Sequence, residues 1–190
     1  MKVLENKAKA FSGQILLELC RDYQQENLYE IVQLLIERGI DLNCKEELGS
    51  KAFLYLCGNY KHDNLLKIIQ ILIRHGINVN CKNKDGANPL HLVCQYYDNS
   101  NLIEIVQLLI ENGAEVNCKD WANNNALIQL CAYYRRDNLI DIVRLLIKHG
   151  IEVNCVNQFG DSPTRLLKSL YTANNCSDIL LLLEESKERK

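Results

Sequence analysis

The segment NLIEIVQLLIENG, Asn101 to Gly113, carries apolar side chains at Leu102, Ile105, Val106, Leu108, Leu109 and Ile110 and polar ones at Glu104, Gln107 and Glu111. Apolar positions at three- and four-residue steps that cover so much of the circumference describe a helix held between neighbours. Asn101 reads as its N-cap, and Glu104 three residues on completes the pattern of a capping box. Gly113 reads as the left-handed residue that closes the helix. A shorter helix precedes it, with Pro89 in the first turn and Leu90, Val93 and Cys94 at inward spacing. The stretch VNCKNKDG, ending at Gly86, reads as a tight turn, because Asp-Gly supplies the positive φ such turns need.

This unit of turn, helix, loop and helix recurs. Asn43-Cys44, Asn80-Cys81, Asn117-Cys118 and Asn154-Cys155 are spaced by 37 residues. Cys20, Cys57, Cys94 and Cys131 keep the same step, as do Tyr23, Tyr60, Tyr97, Tyr134 and Tyr171. So do Asn27, Asn64, Asn101, Asn138 and Asn175, and Gly39, Gly76, Gly113 and Gly150. Independent columns with one period mean an array of one unit, and a unit this small buries its apolar face only by stacking on the next.

GANPLHLVC (Gly86 to Cys94), EIVQLLIENGAEVN (Glu104 to Asn117) and GDSP (Gly160 to Pro163) resemble the ankyrin repeat across nearly the whole chain. The resemblance implies an all-α solenoid of helix-turn-helix units joined by β-hairpin-like turns. It frames residues 1–190 as a single array: a partial repeat at 1–11, repeats at 12–48, 49–85, 86–122 and 123–159, and a C-terminal capping repeat at 160–190. Each unit has four residues more than the usual 33, and they fall between the two helices, in loops such as YYDNSN. The threonine that begins the first helix in the family is replaced by Lys51, Asn88, Asn125 and Ser162. Asn123 stands where the tip glycine belongs, a position asparagine tolerates better than most residues. Val3 to Asn6 lie in frame with Ile40 to Asn43, so the chain is expected to open on the tail of an earlier unit. Ile179 to Leu183 keep the helix pattern before Glu184, Glu185 and SKERK break it, the polar outer face a capping repeat needs, so a native C-terminal end is the expectation.

Charge changes the picture by exclusion. With 22 Lys and Arg against 24 Asp and Glu, no basic excess exists to hold a nucleic acid. No apolar stretch reaches membrane-spanning length, and the opening MKVLENKAKAF holds no apolar core of signal-peptide length. A cytoplasmic or nuclear setting with reduced cysteines follows. From Cys20 to Cys155 the cysteines alternate at 24 and 13 residues, no CxxC occurs, and His62, His75, His91 and His149 form no matching ligand set, so no metal or other cofactor is expected. In the ankyrin pattern both cysteine columns fall where alanine is usual, so each cysteine is read as a small buried filler; Cys176, in a leucine column, is also read as packing. A thiol-based sensor would need exposed, acidic cysteines instead. No phosphate loop, HExxH or GxSxG occurs, and His91, in the family's Pro-Leu-His position, is expected to be a buried hydrogen-bonding residue and not a base. The tyrosine column is expected to be structural, with rings tucked under the inter-helix loops and hydroxyls on backbone groups or water.

The resemblance also implies where a partner docks: the concave surface of turn tips and first helices. Carried onto this chain, it selects Glu47, Leu48, Asn59, Lys84, Asp85, Gln95, Tyr96, Trp121, Tyr133, Gln158 and Phe159, positions that vary between units while the columns around them do not. Aromatic residues dominate interaction hot spots, so an epitope centred on Tyr96, Trp121, Tyr133 and Phe159 is expected. The expected function is a non-catalytic scaffold, monomeric, that binds another protein. The alternative is a substrate-recruiting or regulatory region of a larger multidomain enzyme or ligase complex.

Overall fold

The computed structural model of the protein describes residues 13–40, 46–171 and 173–188. The expected partial repeat at 1–11, together with Asn43 and Cys44, lies outside the described residues. Among the described residues ten helices follow in order: α1 (residues 13–22), α2 (Leu28–Glu37), α3 (Glu46–Asn59), α4 (Leu65–Arg74), α5 (Pro89–Tyr96), α6 (Leu102–Glu111), α7 (Ala126–Tyr133), α8 (Leu139–Lys148), α9 (Pro163–Leu170) and α10 (Ala173–Glu188). No strand occurs among the described residues. The first helices α3, α5, α7 and α9 pack side by side in one row, and α2, α4, α6, α8 and α10 pack in a second. The protein is an all-α repeat solenoid.

The apolar faces read from the sequence are the ones that pack. Leu102, Ile105, Val106 and Leu109 of α6 are buried, as are Leu65, Ile68, Ile69 and Leu72 of α4 and Leu139, Ile142, Val143 and Leu146 of α8. Each such side chain contributes about 2 kcal/mol relative to exposure. Helix α5 is enclosed on more sides, so Pro89 through Cys94 are all buried. Cys20, Cys57, Cys94 and Cys131 lie at the contacts between units, with 0% to 1% of their surface exposed. Cys176 is buried against the same core. The second helices end as Gly113 forecasts: at φ 87° it lets Gly113 N donate to Ile110 O and Ala114 N to Leu109 O, both at 3.0 Å. That pair is a Schellman closure.

The helix starts differ from the expectation. Asn88, Asn125 and Ser162 have extended backbones and their side chains accept from the amides of His91, Ile128 and Arg165, so they cap the first helices. Asn101 does not cap α6, and Glu104 completes no capping box. The chain enters α6 through a turn in which Leu102 N donates to Asn99 O at 3.1 Å, and Asn101 has near-helical ψ of 16°. Its side chain is therefore directed away from the amides it would cap. It accepts from Tyr97 Oη at 2.8 Å and donates through Nδ2 to Asp63 O of the preceding unit at 2.9 Å. Tyr97 Oη also lies 3.2 Å from His62 O.

The same pair repeats along the solenoid. Tyr60 reaches Asn64 Oδ1 at 2.8 Å and Gln25 O at 2.9 Å, while Asn64 donates to Glu26 O. Tyr134 reaches Asn138 Oδ1 at 2.7 Å and Asn99 O at 3.1 Å, while Asn138 donates to Ser100 O at 2.8 Å. The three rings are buried, which pushes their phenols above the usual tyrosine range. The tyrosine and asparagine columns thus form one spine that ties each inter-helix loop to the one before it. A second set of ties lies at the far end of each unit. Asn80 Nδ2 donates to Gly113 O at 2.8 Å and its Oδ1 accepts from Glu115 N at 2.7 Å; Asn117 repeats both bonds with Gly150 and Glu152 at the same distances. These cross-unit bonds explain why the columns hold their residue type: every unit must fit an identical neighbour.

Candidate functional site

Three tips stand in a row, and one short polar side chain organises each. Asn83 Oδ1 accepts from the amides of Asp85 and Ala87 at 2.9 Å. Asp120 Oδ1 holds Ala122 and Asn124 at 2.9 Å, and Asn157 Oδ1 holds Phe159 at 3.0 Å and Asp161 at 2.8 Å. Each is an Asx turn, which needs a one-carbon stem. The tips are tied together by Trp121 N donating to Asp85 O at 2.8 Å and Gln158 N to Ala122 O at 2.9 Å. Asn123 takes the left-handed geometry of the tip glycines, at φ 64° against 78° for Gly86 and 79° for Gly160. Its Nδ2 donates to Val156 O at 2.6 Å.

Among the described residues, the unit that begins with α3 has no such tip. Glu46 occupies the Asx position and Lys51 the cap position, and the chain is helical from Glu46 onward. A glutamate stem is one carbon too long for the Asx turn and lysine offers no cap, so nothing interrupts the helix. The expected tip residues Glu47 and Leu48 are therefore corrected to helix α3. Leu48 is partly buried against the core, and the side chain of Glu47 lies outside the described residues.

Tips and first helices enclose a groove in two joined parts. One, of about 510 Å³, contains Asp85, Gln95, Tyr96, Trp121, Tyr133 and Phe159 among its lining. The other, of about 570 Å³, contains Asn59, Lys84 and Tyr96. Asn83, Leu92 and Tyr96 border both parts. Gln158 is exposed but lies outside the lining of either. The four rings singled out from sequence stand clear of the core: Trp121 is 67% exposed, Phe159 66%, Tyr133 54% and Tyr96 48%. Tyr96 is steadied by Lys61, whose Nζ sits 5.4 Å from its ring centroid and donates to Gly58 O at 2.9 Å and to Tyr96 O.

A further column was missed. Tyr55, Leu92, Gln129 and Leu166 follow the 37-residue step and all line the groove. Each lies one helical turn before the positions that follow the helix cysteine column, and the column holds three residue types in four units. Three-residue spacing on the first helix would have revealed it. Gln129 is held by Asp120, with Nε2 to Oδ2 at 3.2 Å, and Asp120 also accepts from Asn124 Nδ2 at 2.9 Å.

The groups that sequence reading tested for chemistry sit behind this surface. His91 is buried, with Nδ1 2.7 Å from Asn88 Oδ1 and Nε2 3.0 Å from Asn124 O, and burial lowers its pKa. Burial pushes the thiols of Cys20 and Cys94 up to about 12 and those of Cys81 and Cys155 up to about 11, so they stay protonated at neutral pH. Cys81 and Cys118 turn their sulfurs toward Ser50 O and Gly86 O at 3.7 and 3.8 Å. Among the described residues no cluster of histidine, cysteine, aspartate or glutamate has the arrangement of a metal site. No described helix is long and apolar enough to cross a membrane.

No curated protein matches the chain at a significant level. The family model for ankyrin repeats, three copies long, matches residues 19–120 and again 61–157. Two rows of short and long helices, Asx-closed tips and the Pro-Leu-His start of α5 agree with that match, and the chain belongs to the ankyrin-repeat family.

Proposed function

We propose that this protein is a non-catalytic scaffold that binds another protein through its concave groove. Ankyrin repeats are generally protein-protein interaction modules and typically lack catalysis. The observation that carries the reading for this chain is the placement of Tyr96, Trp121, Tyr133 and Phe159. Four large rings, each about half exposed or more, share the lining of one groove, whereas the tyrosines of the spine are buried. A monomer that keeps such rings in water gives up burial they would gain in a core, and aromatic anchors of this kind dominate interaction energies. The scaffold behind them is closed: every buried side-chain nitrogen and oxygen among the described residues has a hydrogen-bond partner. Binding therefore adds contacts to a preformed surface, which keeps the ordering cost low.

Affinity capture with the wild-type chain and with the Trp121→Ala, Tyr133→Ala pair tests the reading. A protein held by the wild type and lost with the pair supports it. An identical captured set refutes the groove as the binding surface.

A further inference from the structure

The two parts of the groove carry opposite charge. The part bordered by α3 contains Lys51, Lys82 and Lys84 and no acidic residue among its described lining. The part bordered by α7 and α9 contains Asp85, Asp120 and Asp161 and neither lysine nor arginine. The sign changes between Lys84 and Asp85, neighbours on one tip, and Tyr96 sits where the two parts join. Lys82 lies 3.5 Å from Glu115, and Asp161 lies 3.7 Å from Arg165. Both pairs are long and at least partly open to solvent, so they hold their partners weakly and a ligand's charge competes with them. The chain as a whole has a net charge of −2, so this polarity belongs to the groove and not to the protein's overall field.

Resting on the reading of the groove as a protein-binding surface, we propose that its occupant is an extended segment of a partner protein with its charges segregated. Acidic side chains lie over Lys82 and Lys84, an apolar stretch lies between Tyr96, Trp121 and Tyr133, and basic side chains lie over Asp120 and Asp161. A segment laid the other way round sets like charges together at both ends, so the polarity fixes register and direction. Aromatic rings between the charged ends exclude water from the middle of the contact, where the binding energy concentrates. A segment of about 12 residues spans the groove, which is about 30 to 40 Å long at 8 to 10 Å per helix layer.

The test uses three labelled peptides of identical composition, read by fluorescence anisotropy against the full chain. One runs acidic, apolar, basic; the second runs basic, apolar, acidic; the third has its charges interspersed. One of the two segregated peptides is expected to bind at least about tenfold tighter than the interspersed one, and added salt weakens it. In K82E/K84E, two positions outside the structural spine, that preference disappears. A fourth peptide with basic residues at both ends then binds the variant better than it binds the wild type. The proposal is overturned if all three peptides bind within about twofold of one another, if none binds, or if K82E/K84E leaves the preference unchanged. None of these results touches the loss of a captured protein in the Trp121→Ala, Tyr133→Ala pair, so the polarity fails separately from the binding role.

Discussion

Replacing Tyr97 by phenylalanine and Asn101 by alanine, singly and together, separates a helix cap from a link between units. Tyr97 is 1% exposed and its hydroxyl lies 2.8 Å from Asn101 Oδ1 and 3.2 Å from His62 O. Tyr97→Phe keeps the ring and removes one hydrogen bond, a net loss of about 1 kcal/mol. Asn101 is half-buried and water reaches its orphaned oxygen, so the cost stays near that value. Asn101→Ala removes the same bond and also the donation to Asp63 O at 2.9 Å, a loss of about 2 kcal/mol. The shared bond is lost only once, so the double variant also falls by about 2 kcal/mol. The cycle then shows a coupling of about 1 kcal/mol. Urea denaturation followed by far-UV circular dichroism reads all four proteins, with the slopes checked for a broken cooperative transition. A cap has no stake in Tyr97. Additive single losses, with Tyr97→Phe close to neutral, would return Asn101 to the role its sequence pattern suggests and refute the spine.

Three further outcomes follow from the buried groups and the tips. Stability falls as pH rises above the usual thiol value of 9.0, because the unfolded chain ionises there while Cys94, raised to about 12, does not. The urea midpoint should therefore drop between about pH 8 and about pH 10.5, less steeply in Cys94→Ala, and a flat profile would contradict the burial of the thiols. Thiol labelling of the native protein near neutral pH should leave Cys20, Cys57, Cys94 and Cys131 unmodified by peptide mass mapping; rapid native modification would contradict the same claim. Asn123→Ala should cost about 2 kcal/mol, one part for the left-handed backbone and one for the bond to Val156 O, whereas Asn123→Gly loses only the bond. Equal urea midpoints for the two variants would show that φ at this tip carries no strain.

What was legible in the sequence was local or periodic. The apolar face of α6, the closing turn at Gly113 and the left-handed Asn123 depend on residues within a few positions, and the 37-residue step exposed the columns at once. The asparagine column misled because a cap and a cross-unit link use the same residue type. The partner that decides between them, Asp63 for Asn101, lies 38 residues away. Tip and helix in α3 were confused for a related reason. Gly49 kept the look of a tip, but the missing Asx residue at Glu46 and the missing cap at Lys51 together let the helix run on. The groove column of Tyr55, Leu92, Gln129 and Leu166 was passed over because variation was sought beside the repeating cysteine and not one turn before it. Charge segregation becomes visible only when Lys84 and Asp85, adjacent in sequence, are seen to border different parts of one groove.

The most direct test of the groove is to titrate the captured partner against the wild type and Trp121→Ala while following the unfolding midpoint of each. Trp121 is two-thirds exposed, so its truncation leaves the core packing intact. As a central anchor it should cost about 2 kcal/mol of binding, about 30-fold in Kd, with the midpoint unchanged. An unchanged Kd accompanied by a lowered midpoint would show that the ring serves the fold and not a partner.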